Sequence, residues 1–148
     1  MFRGRFVHTV DTKGRVAIPA SFRTELSRRS ERPPILTNML ECLALYPYDD
    51  WTHLEERLVG VDPLMLEGQD MQRFMISGAT DTPLDAQGRI LIPPFLREHA
   101  RLEREVTLAG VGPRIEIWDK TRFDEQLART QERFREISQE VSRNGKAS

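Results

Sequence analysis

A chain of 148 residues has room for one ordinary domain or for two small halves that share a core, since domains usually run to about 100–150 residues. Its 39% apolar and 30% charged residues exclude a disordered chain, and no run approaches the roughly 18 consecutive apolar residues of a membrane helix. The net charge of −1 hides a segregation, with eight basic side chains against three acids in residues 1–33 and two against eight in residues 34–74, which leaves room for a positive face on a near-neutral molecule.

The basic arm opens with Arg3 and Arg5, which suit either a strand face turned toward DNA or a charged strand edge that resists aggregation. Residues 6–10 and 15–18 are short strand candidates joined by Asp11-Thr12-Lys13-Gly14, and this spacing predicts a hairpin. Asp11 is suited to hydrogen-bond backbone groups one or two residues on, and Gly14 to take a positive φ that lysine or threonine would resist. Pro19 fits the start of a helix, where a missing N–H costs nothing, so residues 20–28 are expected to be helical. Arg23 on that helix is open to an internal salt bridge or a phosphate contact, while Arg28, Arg29 and Arg32 read as a solvated run.

Residues 35–38 and 42–46 read as strands, and Asp49 or Asp50 as the cap of a helix reaching about residue 59. Residues 64–75 predict a further helix that joins the halves. A second turn, Asp85-Ala86-Gln87-Gly88, leads into Arg89 and another short strand, after which Pro93 and Pro94 open a helix over 95–101 that carries Arg97. Strands follow at 105–109 and 114–118, with Asp119 capping the next helix. A long amphipathic helix is expected over 121–142, with Phe123, Leu127, Phe134, Ile137 and Val141 near one stripe; such a stripe serves either as core or as a seam for a neighbouring subunit. Residues 142–148 read as a polar tail.

An internal repeat underlies this series. Residues 11–23 align without a gap on residues 85–97, at an offset of 74. Asp11, Gly14, Arg15, Ile18, Pro19 and Arg23 recur as Asp85, Gly88, Arg89, Ile92, Pro93 and Arg97. Farther on, Leu43, Leu45, Tyr46 and Trp51 resemble Ile115, Ile117, Trp118 and Phe123 at an offset of 72. The chain divides into a first repeat over 1–74 and a second over 75–148. Two copies are too few for a solenoid, so a pair closed about a pseudo-twofold axis is expected.

The paired Asp-x-x-Gly-Arg-apolar-x-Ile-Pro motifs, together with the opening Met1-Phe2-x-Gly4, resemble the MraZ family of bacterial regulators over nearly the whole chain. The half-repeat also resembles the swapped-hairpin module of AbrB-like regulators and of some antitoxins. The resemblance implies an α+β fold of two pseudo-symmetric β-hairpin modules of double-split barrel type, closed on each other, with flanking helices and a long C-terminal helix. It implies a homo-oligomeric ring in the cytoplasm, associated with the nucleoid, that binds direct repeats in double-stranded DNA upstream of a division and cell-wall gene cluster including its own gene. No catalysis, metal or cofactor is implied.

Candidate DNA-binding residues are Arg3, Arg5, Lys13, Arg15 and Arg23 in the first repeat, and Gln87, Arg89 and Arg97 in the second; Asp11, Gly14, Asp85 and Gly88 are candidate turn formers. An arginine can bind guanine bidentately, whereas a lysine acts as a mobile point charge. Gln87, standing where the first copy has Lys13, removes a charge but brings an amide able to read adenine. Arg15 and Arg89 have a second role open to them, pairing with Asp11 and Asp85 to fix the turns, and the two roles are compatible. The lone Cys42 reads as a small apolar strand residue, and His8, His53 and His99 lack metal-ligand spacing. Two rival readings are an antitoxin-like protein whose C-terminal helix masks a toxin, and a small barrel with a ligand or reaction site inside.

Overall fold

In the computed structural model, which describes residues 1–147, one order of elements runs twice. The first pass is β1 (Arg5–Thr9), β2 (Arg15–Ala17), α1 (Ala20–Arg29), β3 (Ile35–Asn38), β4 (Leu43–Tyr46) and α2 (Tyr48–Val59). A connecting helix α3 (Leu66–Met71) continues into a π-helical turn at Gln72–Ile76. The second pass is β5 (Thr80–Asp81), β6 (Arg89–Leu91), α4 (Pro94–His99), β7 (Glu105–Val111), β8 (Arg114–Asp119) and α5 (Lys120–Glu132), with α6 (Phe134–Ala147) appended. The chain is thus α+β, with its strands antiparallel throughout.

Six strands form one sheet in the order β1-β7-β8-β4-β3-β5, and β2 and β6 form a separate two-stranded ribbon. The order of the large sheet reads the same when the two passes are exchanged, as pseudo-twofold symmetry requires. The hairpin expected between the first two strands is not made. β1 pairs instead with β7 in the register Arg5↔Ala109 to Thr9↔Glu105, and β2 pairs with β6 in the register Arg15↔Leu91 to Ala17↔Arg89. The physical reason is that strands of two to five residues cannot stand as isolated hairpins. β1 gains a place at the edge of the six-stranded sheet, while β2 and β6 pair with each other over the shared core that buries Val16 and Ile90.

The sheet carries apolar residues on both faces. Leu43, Leu45, Ile115 and Ile117 point to one side, where they join Val16 and Ile90 of the ribbon, Phe22 and Leu96 of helices α1 and α4, and Ile18 and Ile92 from the links between them. Ala44 and Tyr46 point to the other side, packing with Trp51 of α2, while Trp118 meets Phe123 of α5 with ring centroids 5.7 Å apart. Val16 and Ile90 are fully buried opposite each other at the middle of the ribbon. At roughly 1.5–3 kcal/mol for each buried aliphatic side chain, these contacts hold the two halves together.

Three sequence expectations change at this level. Asp49 and Asp50 do not cap α2: Pro47 holds the N-cap position, its carbonyl accepting from the Trp51 amide, and both acids fall inside the first turn. Asp50 instead accepts from Arg29 at 2.7 and 2.9 Å, tying the end of α1 to the start of α2. Asp119 does cap α5, accepting from the Arg122 amide. The long C-terminal helix is broken at Arg133, whose φ of −106° and ψ of 11° leave the α region. Its apolar stripe divides accordingly, with Phe123 buried and Leu127 packed beside it, but Phe134 and Val141 are 64% and 65% exposed. The expected polar tail is helical through Ala147, and Ser148 lies outside the described residues.

Candidate nucleic-acid interface

The two Asp-x-x-Gly-Arg segments fold into matching turns. In the first, Asp11 Oδ1 accepts from the amides of Lys13 and Arg15 at 3.0 and 2.8 Å, and Asp11 Oδ2 accepts from Arg15 Nε at 2.7 Å. In the second, Asp85 Oδ1 accepts from the amides of Gln87 and Arg89, both at 2.9 Å, and Oδ2 from Arg89 Nε at 2.8 Å. The backbone closes each turn with Gly14 N–H to Asp11 O and Gly88 N–H to Asp85 O, both 3.0 Å. Gly14 and Gly88 hold φ at +89° and +75°, a region that suits glycine. Each aspartate thus spends its carboxylate on its own turn and on one edge of its arginine.

The halves are braced across the pseudo-twofold axis. Ile18 N–H donates to Gly88 O at 2.9 Å, and Ile92 N–H to Gly14 O at 2.8 Å. Arg97 lies against Gly14 while donating from Nε to Ile92 O at 3.1 Å, and Arg23 lies against Gly88 while donating to Ile18 O at 2.7 Å. Arg23 and Arg97 therefore buttress the opposite turn through carbonyls, an arrangement the salt-bridge expectation did not contain.

Arg89 Nη1 stands 4.0 Å from Asp11 Oδ2, so the two turns lie side by side. The structure brings together Lys13, Arg15, Gln87 and Arg89: Lys13 and Gln87 are exposed, and the arginine side chains are 33% and 28% accessible. Each arginine uses Nε inward. The terminal nitrogens of Arg15 have no hydrogen-bond partner among the described residues, and Arg89 Nη2 reaches Gln87 Oε1 at 3.3 Å. Two fixed guanidinium forks on one surface are suited to bidentate acceptors such as phosphate or the guanine edge.

Arg3 and Arg5 are exposed but stand apart from this cluster. Arg5 is six residues of extended chain from Asp11, roughly 20 Å at 3.3 Å per residue, and its guanidinium sits 5.8 Å from the centre of the Phe123 ring on the α5 side of the sheet. The basic run at the end of α1 and just beyond it is not simply solvated either. Arg28 pairs with Glu25, Arg29 with Asp50, and Arg32 donates to Tyr48 Oη at 2.9 Å and stacks on its ring. Among the described residues, no three His, Cys, Asp or Glu side chains gather where they could hold a metal ion.

Sequence reasoning missed Ala17 and Leu91. Since Val16 and Ile90 point into the core, their neighbours Arg15, Ala17, Arg89 and Leu91 occupy the outward face of the ribbon. The alternation was present in the sequence. What was missing was the pairing of β2 with β6, which puts the four on one surface.

The Asp11 and Asp85 carboxyls are held below the usual range, first of all by the amides of Arg15 and Arg89. A depressed carboxyl pKa contributes stability above the unfolded value of about 3.9 and loses it as pH falls through the folded value. The Lys13, Arg15, Gln87 and Arg89 amide resonances are therefore expected to stay fixed from about pH 8 to 5 and to move only below about pH 4. A common midpoint near pH 5 or above in an NMR titration would contradict the turn geometry.

The chain matches the family model described as "MraZ protein, putative antitoxin-like" over residues 1–65 and 75–144. A protein named "Transcriptional regulator MraZ" from Moorella thermoacetica is 39% identical over 142 residues, covering 95% of this chain and 96% of its own length. Proteins of the same name from Solidesulfovibrio magneticus and Alkaliphilus oremlandii are 40% and 42% identical, covering 98% of this chain and 97% and 99% of theirs.

Proposed function

The chain belongs to the MraZ family of transcriptional regulators, and on that premise we propose that it is a sequence-specific DNA-binding protein that acts on direct repeats upstream of the division and cell-wall gene cluster that includes its own gene. It is a transcriptional regulator and not an enzyme. The observation that carries the DNA-binding reading is the pair of adjacent Asp–Arg turns, which leave Lys13, Gln87 and the outer edges of Arg15 and Arg89 on one surface. Arg23 and Arg97 support the turns from behind and meet DNA only where a phosphate approaches past them. Arg3 and Arg5 supply a second, separate basic contact.

Residues 1–74 and 75–148 are the two repeats in this reading, built as swapped-hairpin modules that close on each other. Self-association into a ring is the expected assembly, and the uncovered apolar residues of α6, Phe134 and Val141, support contact with a neighbour. Head-to-tail subunits related by rotation present their turns in one sense, and tips at regular spacing make the later contacts effectively intramolecular. That geometry suits direct repeats in promoter DNA and a place in the cytoplasm, at the nucleoid. No helix in the described residues is long and apolar enough to cross a membrane.

The test compares binding to the fragment upstream of the protein's own gene with binding to a scrambled fragment of equal length, at two salt concentrations. Phosphate contacts weaken together on any sequence as salt rises, so a sequence reader keeps its preference at the higher salt. Equal binding to both fragments, lost with salt, would reduce the protein to a weak polyanion binder and reopen the partner-masking alternative.

A further inference from the structure

We infer that Leu91 is a specificity residue that packs on the 5-methyl group of a thymine beside the base contacted by Arg15; this rests on the DNA-binding reading above. Leu91 is directly opposite Arg15 in the β2–β6 register, and both flank a residue whose side chain is fully buried, so both point outward. Directly opposed residues in an antiparallel pair have Cβ atoms about 4.5–5.5 Å apart. Stacked base pairs are about 3.4 Å apart. A groove surface that accepts the Arg15 guanidinium therefore meets Leu91 at the same base-pair step or the next.

The ribbon is of a kind that fits such a surface. The major groove admits a two-stranded β-ribbon, and the apolar group it offers is the thymine methyl. Leu91 is 56% exposed on a face otherwise occupied by two arginines and Ala17, and it is the side chain there that is apolar, extended and uncovered. Its pseudo-twofold mate, Ala17, ends at Cβ and is half-buried. Together with Lys13 against Gln87, this difference gives a nearly symmetric ribbon two unlike ends, so it distinguishes one direction along a duplex from the other.

The experiment replaces each thymine of the upstream fragment in turn by deoxyuridine, which deletes only the methyl group, and measures affinity for the full-length wild type and for Leu91→Ala. One position is expected at which the wild type loses about fourfold, the worth of one buried methyl, and at which Leu91→Ala binds both duplexes equally. A melting curve checks that this outward substitution leaves the fold intact. A wild type that prefers the upstream fragment yet is indifferent to every methyl overturns the Leu91 assignment alone. A Leu91→Ala protein that keeps the methyl effect but elutes as a smaller species places the side chain between copies and also overturns it. A wild type with no preference for the fragment overturns the DNA-reading proposal and this inference together.

Discussion

Arg15→Ala is expected to weaken binding to the upstream fragment by roughly 5- to 150-fold per contact, the 1–3 kcal/mol of a bidentate arginine–base pair, while Arg129→Ala leaves it unchanged. Both residues are arginines at the surface. Arg129 lies on α5 and bonds Gln126 within its own helix, whereas Arg15 is clamped through Nε to Asp11, its other two nitrogens without a hydrogen-bond partner among the described residues. A guanidinium fixed at one edge has already lost most of the rotamer freedom that binding would otherwise cost. The clamp also gives Arg15 a structural share, so the substitution needs a companion. Arg15→Lys keeps the charge but lacks both the Nε anchor and the planar fork, and it is expected to fall between alanine and wild type. Circular dichroism melting separates loss of the turn from loss of the contact. Equal affinities for Arg15→Ala and Arg129→Ala would remove the first turn from the recognition surface.

How much of this was legible in the sequence follows from how local each signal is. The two turns were legible as turns, though not the partners of the strands they join, because an aspartate that accepts backbone amides and a glycine with positive φ are requirements of four or five consecutive residues. Strand β3 and the Asp119 cap were legible for the same reason. The partner of β1 was not: a short alternating segment declares that it is extended and which face is apolar, but hydrogen bonding to β7 or to β2 would leave the same pattern. The candidate site suffered from this directly. Arg3 and Arg5 read as a basic arm next to the turn that carries Lys13, yet the extended run of β1 carries the first two to the far end of the strand. Conversely, nothing in the sequence singled out Leu91, and only the ribbon register sets it opposite Arg15. The break at Arg133 had no glycine or proline to announce it. Asp50 misled because an acid near a helix start serves equally well as a cap or, as with Arg29, as a tie to another helix.

Gly14→Ala is expected to cost about 2–4 kcal/mol of stability, the sum of a positive φ forced on a residue with a Cβ and a steric conflict with its neighbours. For a chain of this size that lowers the melting temperature by about 5–15 °C. A Cβ there would stand 2.8 Å from Arg97 Nε and 3.0 Å from the Ile92 carbonyl, and the same carbonyl receives the Arg97 bond. Adding Arg97→Ala is expected to relieve the side-chain conflict but not the backbone strain, so the double variant is less destabilised than the sum of the two singles. Gly145→Ala on α6, where a Cβ meets nothing within 4 Å among the described residues, serves as the control and is expected to melt no lower than wild type. Gly88→Ala repeats the experiment on the other turn, where the Cβ meets Arg23 Cδ at 2.7 Å, and a similar loss of stability is expected. The two variants should separate in DNA binding, because the strained turns hold different chemistry: Lys13 stands in one and Gln87 in the other. Measured under conditions where both remain folded, a larger loss of affinity from Gly14→Ala would assign the greater part of the contact to the lysine-bearing turn. Equal losses would mean that the ribbon meets DNA through its shared arginines, and that the charge lost at Gln87 is immaterial to binding.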